Sequence, residues 1–155
     1  MSPRAASRLE SLGFPRVYDY AAGKADWGSY GLTLEGRSDS STRVSSSART
    51  DAPTCHLDES VAEVAAQLPE GWDICVVTND GQVVLGLLGR NALRSNTQTT
   101  VESAMTPGPS TIRPSARIEA IAERMREQEL TRIIVSRSDG TLVGVVRRED
   151  LGVGT

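Results

Sequence analysis

Thr54-Cys55-His56-Leu57-Asp58-Glu59-Ser60-Val61 and Thr111-Ile112-Arg113-Pro114-Ser115-Ala116-Arg117-Ile118 stand 57 residues apart and share one pattern. The same offset carries Val61, Val64, Ala65 and Leu68 onto Ile118, Ile121, Ala122 and Met125. Both quartets have the i, i+3, i+4, i+7 spacing that puts four side chains on one helix face. Asp58 and Ser115, each three residues before the first apolar position, are the expected N-caps. Outward from the helices come two short apolar runs, Ile74-Cys75-Val76-Val77 and Ile133-Ile134-Val135, of the kind found in strands covered on both faces. Each run meets an Asp-Gly, Asp80-Gly81 and Asp139-Gly140, then a second apolar run ending in glycine. That is a hairpin signal, with Gly expected to supply the positive φ. The copies close with Leu85-Gly86-Leu87-Leu88-Gly89-Arg90-Asn91-Ala92-Leu93 and Val143-Gly144-Val145-Val146-Arg147-Arg148-Glu149-Asp150-Leu151, each a strand running into a short helix.

Each copy therefore reads strand, helix, strand, strand, helix in about fifty residues. So small a unit cannot bury enough surface to fold alone, and two should pack face to face. The expected fold is α/β (α+β), with tandem repeats over 54–99 and 100–153 packed as a pseudo-twofold pair. Val61, Val64, Ile121, Met125, Ile133 and Val145 are its expected core.

Composition bounds the function. The 155 residues suit one ordinary domain or two small repeats, and 38% hydrophobic with 24% charged residues is a globular balance. A net charge of −3 gives no overall field for phosphate backbones or anionic lipid, so neither nucleic acid nor membrane is an expected partner. The longest apolar stretch, Val83 to Leu88, is far too short to span a bilayer, and the expected location is cytoplasmic. Cys55, Cys75 and His56 supply too few ligands for a zinc set or a disulfide framework. Cys75 lies within an apolar strand and Cys55 aligns with Ile112, so both thiols are expected to face the core. No catalytic residue and no metal site is expected. Gly36 to Pro53 holds six serines, three arginines and one branched apolar residue, Val44. It is expected to be a flexible linker, because so little apolar surface cannot offset its ordering entropy.

With these residues in view, the repeat resembles the tandem CBS-domain pair, or Bateman module. The second copy is the nearer match, through Ala104-Met105-Thr106-Pro107, Thr111-Ile112-Arg113-Pro114, Arg132-Ile133-Ile134-Val135 and Asp139-Gly140-Thr141-Leu142-Val143-Gly144-Val145-Val146 to Asp150-Leu151. The resemblance implies clefts between the two copies that accept adenosine nucleotides or S-adenosylmethionine, a sensor role, and dimerisation. It also implies a ribose-phosphate signature: Gly, two apolar residues, Thr or Ser, two variable residues, then Asp. Gly144-Val145-Val146-Arg147-Arg148-Glu149-Asp150 keeps the Gly and the Asp and puts Arg147 where the hydroxyl belongs. Arginine can replace a phosphate donor by charge and bidentate bonding. The first copy's Gly86-Leu87-Leu88-Gly89-Arg90-Asn91-Ala92 has lost both hydroxyl and carboxylate. The expected ligand-binding set is therefore Asp150, Arg147, Gly144, Thr111 and Arg132. Alternatives stay open for three of them: Asp150 pairing locally with Arg147 or Arg148, Thr111 satisfying a strand edge, and Arg132 solvated at a strand entry.

Before the linker, Arg4 to Leu12 puts Ala5, Leu9 and Leu12 on one helical face, with Gly13 as a stop. Arg16 to Tyr20 reads as a strand, and Ala22 to Trp27 as a turn into helix. Residues 1–35 resemble the C-terminal end of a rhodanese domain through Ser2-Pro3-Arg4-Ala5-Ala6, Leu9-Glu10-Ser11-Leu12-Gly13-Phe14, Val17-Tyr18, Gly23-Lys24-Ala25-Asp26-Trp27 and Gly31-Leu32. That family's persulfide-forming cysteine opens the loop before this helix, and none precedes it here. A remnant, a docking arm and the visible end of a longer chain all stay open. Three functions follow: a non-catalytic sensor with ATP, ADP, AMP or S-adenosylmethionine as regulatory ligand, a ligand-free homodimerisation scaffold, and a sulfurtransferase.

Overall fold

The computed structural model describes residues 3–18, 23, 27–28, 30, 42–95 and 98–152. The chain divides into two compact units, 1–40 and 41–155. In the first, α1 spans Pro3–Ser11 and ends on Gly13, whose φ of +91° is the left-handed conformation glycine adopts at helix stops. Residues 16–18 carry no strand, and the rest of that expected strand, Asp19 and Tyr20, lies outside the described residues. Gly23 and Trp27 are helical, whereas Ala22, 24–26 and 31–35 lie outside the described residues, as do 36–41 of the expected linker.

The second unit is a mixed α+β fold with two sheets. Its first repeat runs β1 (Thr54–Cys55), α2 (Val61–Ala66), β2 (Cys75–Thr78), β3 (Val84–Leu88) and α3 (Arg90–Ser95). Then come α4 (Val101–Ala104) and β4 (Thr106–Pro107). The second repeat runs β5 (Thr111–Ile112), α5 (Ile118–Glu127), β6 (Arg132–Ser136), β7 (Leu142–Arg147) and a 3-10 turn, Arg148–Leu151. The sheet orders are β1-β2-β3-β4 and β5-β6-β7. In both, the entering strand pairs parallel with the next, which pairs antiparallel with the third. Even the register irregularity recurs, at Val77/Thr78 and Val135/Ser136.

Strand alternation sorts the apolar residues into three cores. Cys75 and Val77 point at α2, within a cluster that includes Val61, Val64 and Leu88. Ile133, Val135 and Val146 point at α5, against Ile118, Ile121 and Met125. The opposite faces meet each other: Trp72, Ile74 and Val76 of the first repeat pack on Ile134 and Val145 of the second. The six expected core residues are all buried. The two thiols are buried too, as their alignment required.

Residues 42–53 are not the flexible tether expected of their composition. Val44 is fully buried in the second repeat's core. Its N–H donates to the Ala116 carbonyl (2.9 Å), that of Ser45 to Pro114 (3.0 Å), and Ile118 donates to Thr42 (3.1 Å). Arg49 exchanges both backbone hydrogen bonds with Val145, at 2.9 and 3.0 Å. Residues 57 positions on repeat the arrangement against the first repeat. There Val101 donates to Glu59 (2.9 Å), Glu102 to Leu57 (3.1 Å) and Val61 to Thr99 (2.9 Å), with Val101 fully buried. The duplication thus begins near Thr42, and each copy's leading segment lies on the other copy. One buried valine and a ladder of backbone bonds hold the segment, and neither needs an apolar-rich sequence.

Two local expectations are corrected by the same contacts. Both helices start later than the expected caps Asp58 and Ser115. Ser60 caps α2, its Oγ accepting from the Glu63 N–H (3.2 Å) while the Glu63 carboxylate accepts from the Ser60 N–H (3.3 Å). Arg117 takes the equivalent place before α5. Bridges Ser60–Thr100 and Arg43–Arg117 tie the residue before each helix to the crossing segment, which fixes where helical geometry begins. In the first hairpin the positive φ falls on Gln82 (+58°), not Gly81, and in the second on Gly140 (+86°) as expected. The Asn79 side chain accepts from Val83 N–H (2.9 Å) and stabilises the shifted turn. The hairpin tips also meet: Val84 donates to Gly140 (3.0 Å) and Leu142 to Gln82 (2.8 Å).

Candidate functional site

At the seam opposite the hairpin tips, polar residues of both repeats converge. Arg132 opens β6 and Arg147 ends β7, and the two are direct partners across the antiparallel pair. Like charges so placed repel. Each guanidinium finds compensation on the first repeat, in the loop Gly71-Trp72-Asp73 before β2. Arg132 Nη1 bonds the Asp73 carboxylate, which also accepts from Arg90 Nε at 2.7 Å. The Arg147 guanidinium lies over the Trp72 ring, 4.4 Å from its centroid, and Nη2 donates to the Gly71 carbonyl at 2.6 Å. Its Nη1 is 3.4 Å from Glu149. The Arg132 hydrogen bond, with Arg90 beside it, holds the Asp73 carboxyl down at about 2. Arg132 Nε is buried without an acceptor among the described residues. An open recess of about 400 Å³ adjoins Asp73, lined by Ala65, Leu68, Trp72, Asp73, Arg90, Leu93 and Arg94.

Asp150 sits in the turn after β7. Its carboxylate accepts from the Arg147 N–H (3.3 Å) and is gripped at both oxygens by Arg49, from Nε at 2.8 Å and Nη2 at 2.7 Å. This bond to Arg49 depresses the Asp150 carboxyl below the usual carboxylate range. Gly144 lies where β7 meets the backbone of residue 49. A Cβ there would be driven into the Arg49 carbonyl, so the glycine is needed for the crossing segment to seat. Thr111 stands on the exposed start of β5, and its hydroxyl accepts from Ser136 Oγ at 3.0 Å.

Of the five residues expected from sequence, Arg132 and Arg147 thus stand side by side and Asp150 joins Arg147 through its backbone. Gly144 acts through the Arg49 backbone, and Thr111 is engaged toward the far end of β6. Asp150 does pair, but with Arg49, 101 residues away, rather than with the neighbouring arginine side chains. The site residues that sequence reasoning missed are Arg49, Trp72, Asp73 and Arg90. Signals existed for two of them. Trp72 is the single aromatic beyond residue 30, and Asp73 stands opposite in charge to Arg132 at the strand offset of 59.

Comparison with known proteins agrees with this architecture. No curated protein matches the chain. Among solved structures, the chain resembles the cytosolic domain of the Mg2+ channel MgtE in complex with ATP (23% identity, TM-score 0.60, 67% of this chain and 45% of that one). It spans less than half the length of that domain. It resembles CBSX2 in complex with AMP (22%, TM-score 0.63, 70% and 92%). It also resembles a CBS domain pair in complex with 5′-methylthioadenosine and S-adenosyl-L-methionine (19%, TM-score 0.63, 72% and 93%). Residues 101–151 match the CBS domain family, and the two repeats together have the fold of a CBS domain pair.

Proposed function

We propose that the protein is a non-catalytic regulatory module that captures an adenosine nucleotide at the seam between its repeats. Asp150 serves as the ribose acceptor, with Arg147 and Arg132 toward the phosphate; Gly144 and Thr111 complete the set by shaping β7 and the entrance of β5. The observation that carries this reading is the convergence of Arg132, Arg147 and Trp72 with the Asp150 turn where the repeats meet. An aromatic face, guanidinium donors and a carboxylate are the three chemistries that a base, a phosphate and a ribose diol require. The ATP, AMP, methylthioadenosine and S-adenosylmethionine complexes of similar folds support the ligand class. The ligand acts by differential affinity for two packings of the pair. Calorimetric titration with ATP, ADP, AMP and S-adenosylmethionine tests the reading. Saturable binding that Asp150→Ala weakens is expected, and no heat from any of the four refutes it.

One observation favours a second reading, a ligand-free homodimerisation scaffold. Both oxygens of Asp150 are already engaged by Arg49. A dimeric mass in light scattering, unchanged by any of the four ligands, is its expected signature. No step of either reading uses a thiol, since Cys55 and Cys75 are buried in the first repeat's core.

A further inference from the structure

Resting on the nucleotide reading above, we infer that Arg49 is an internal competitor for Asp150 that makes the seam select adenosine ligands carrying a phosphate over their uncharged counterparts. The ribose diol can reach the Asp150 carboxylate only by displacing a two-point, charge-assisted contact, Nε at 2.8 Å and Nη2 at 2.7 Å. Neutral hydroxyls replace that contact poorly, because the guanidinium they release loses its anion. Among the described residues, Glu149 also stands within ion-pair reach of Arg49, at 3.9 Å and strongly exposed, a weaker partner than Asp150. A ligand that brings its own phosphate gives the released guanidinium a new anion, and a nucleoside does not. The Arg49 side chain is partly open to solvent, so it can turn without unpacking the core. Its backbone stays fixed by the paired bonds to Val145, which keeps the guanidinium within reach of the vacated carboxylate. Arg132 and Arg147 contribute positive charge to the same seam but spend their contacts on Asp73, Gly71 and Trp72. Arg49 is therefore the residue whose partner must change on binding.

Titration calorimetry of the full chain with AMP and with adenosine, which share base and ribose, tests this. Wild type is expected to bind AMP at least tenfold tighter than adenosine. In Arg49→Gln, adenosine binds tighter than to wild type, and the AMP preference shrinks to threefold or less. Arg49→Lys keeps the charge but not the two-point grip, so adenosine tightens while much of the AMP preference survives. Thermal melts confirm that both variants fold, which the backbone pairing of residue 49 predicts. If wild type binds both ligands and Arg49→Gln alters neither affinity, the competitor role is overturned while the nucleotide reading stands. If neither ligand binds wild type or either variant, the nucleotide reading itself is overturned.

Discussion

Val44→Ala and Val101→Ala should cost the same, although one lies in a serine-rich stretch and the other in a region matched to a known domain family. Both side chains are fully buried, Val44 in the second repeat's core and Val101 in the first's. Each substitution removes two carbon units, about 1.6 kcal/mol of transfer free energy at about 0.8 per unit. A cavity the walls do not refill adds roughly 1 kcal/mol. The expected loss is therefore about 2–3 kcal/mol for either variant, a midpoint drop of roughly 6–12 °C for a domain of this size. Urea denaturation followed by circular dichroism reads it directly, with an unchanged slope indicating that the exposed surface is the same. Ser45→Ala, on the exposed neighbour, is the control and should stay within about 0.5 kcal/mol of wild type. A Val44→Ala loss below that control, alongside a full loss at Val101, would show that residues 42–51 are not part of the folded unit.

Gly144→Ala should destabilise more than Gly86→Ala, measured by thermal melt. The first forces a Cβ into the Arg49 backbone, whereas the second meets chiefly the flexible Met105 side chain, with the Thr106 carbonyl at 3.2 Å. Overpacking against backbone costs about 2–3 kcal/mol, and a movable side chain relieves most of it. Asp73 supplies an acid-sensitive contribution. Its carboxyl titrates at about 2 in the folded chain against an ordinary 3.8, so the stabilisation is complete above about pH 4 and vanishes as pH falls toward 2. After allowance for solvent screening this is about 1 kcal/mol, and Asp73→Asn should flatten the pH–stability curve over that window; an unchanged slope contradicts the pairing with Arg132 and Arg90. Measured on the 41–155 unit by itself, removing residues 41–53 should lower the urea midpoint and expose apolar surface to a hydrophobic dye. Equal midpoints would contradict the crossing segment.

What the sequence made legible was whatever depends on apolar periodicity. The Val61 and Ile118 quartets, the strands around Val76 and Ile134 and the hairpin positions follow from one physical rule, that a surface must be buried to fold. The 42–53 segment escaped that rule because it contributes one buried valine and is otherwise held through backbone groups, which every residue type possesses. The offset of 57 from Val44 to Val101 was its only signal. Caps and turns misread by one or two residues, Ser60 for Asp58 and Gln82 for Gly81, moved because long-range bridges at Ser60 and Val83 overrode local preference. The site divides along the same line. Arg132, Arg147 and Asp150 could be read at the ends of the repeat's strands. Arg49 could not, since its meeting with Asp150 exists only because the leading segment crosses to the other copy.

That crossing bears on how the seam can report on a ligand. The groups around Asp150 come from three sources: the first copy's leading segment, the loop before β2, and the ends of β6 and β7. The leading segment is anchored by Val44 in the second core, whereas the β2 loop is anchored by Trp72 and Ile74 in the core shared between the sheets. On the proposed reading, a guanidinium that leaves Asp150 unloads a contact to the turn after β7, and a phosphate at the seam acts on the Arg147–Trp72 contact beside the shared core. Both changes act on the packing of one repeat against the other rather than on either repeat's own core. An equilibrium moves only as far as the ligand distinguishes its two states. On the proposed reading that distinction falls at the inter-repeat seam, so a packing-sensitive readout such as Trp72 fluorescence is expected to follow ligand occupancy while helix content stays constant.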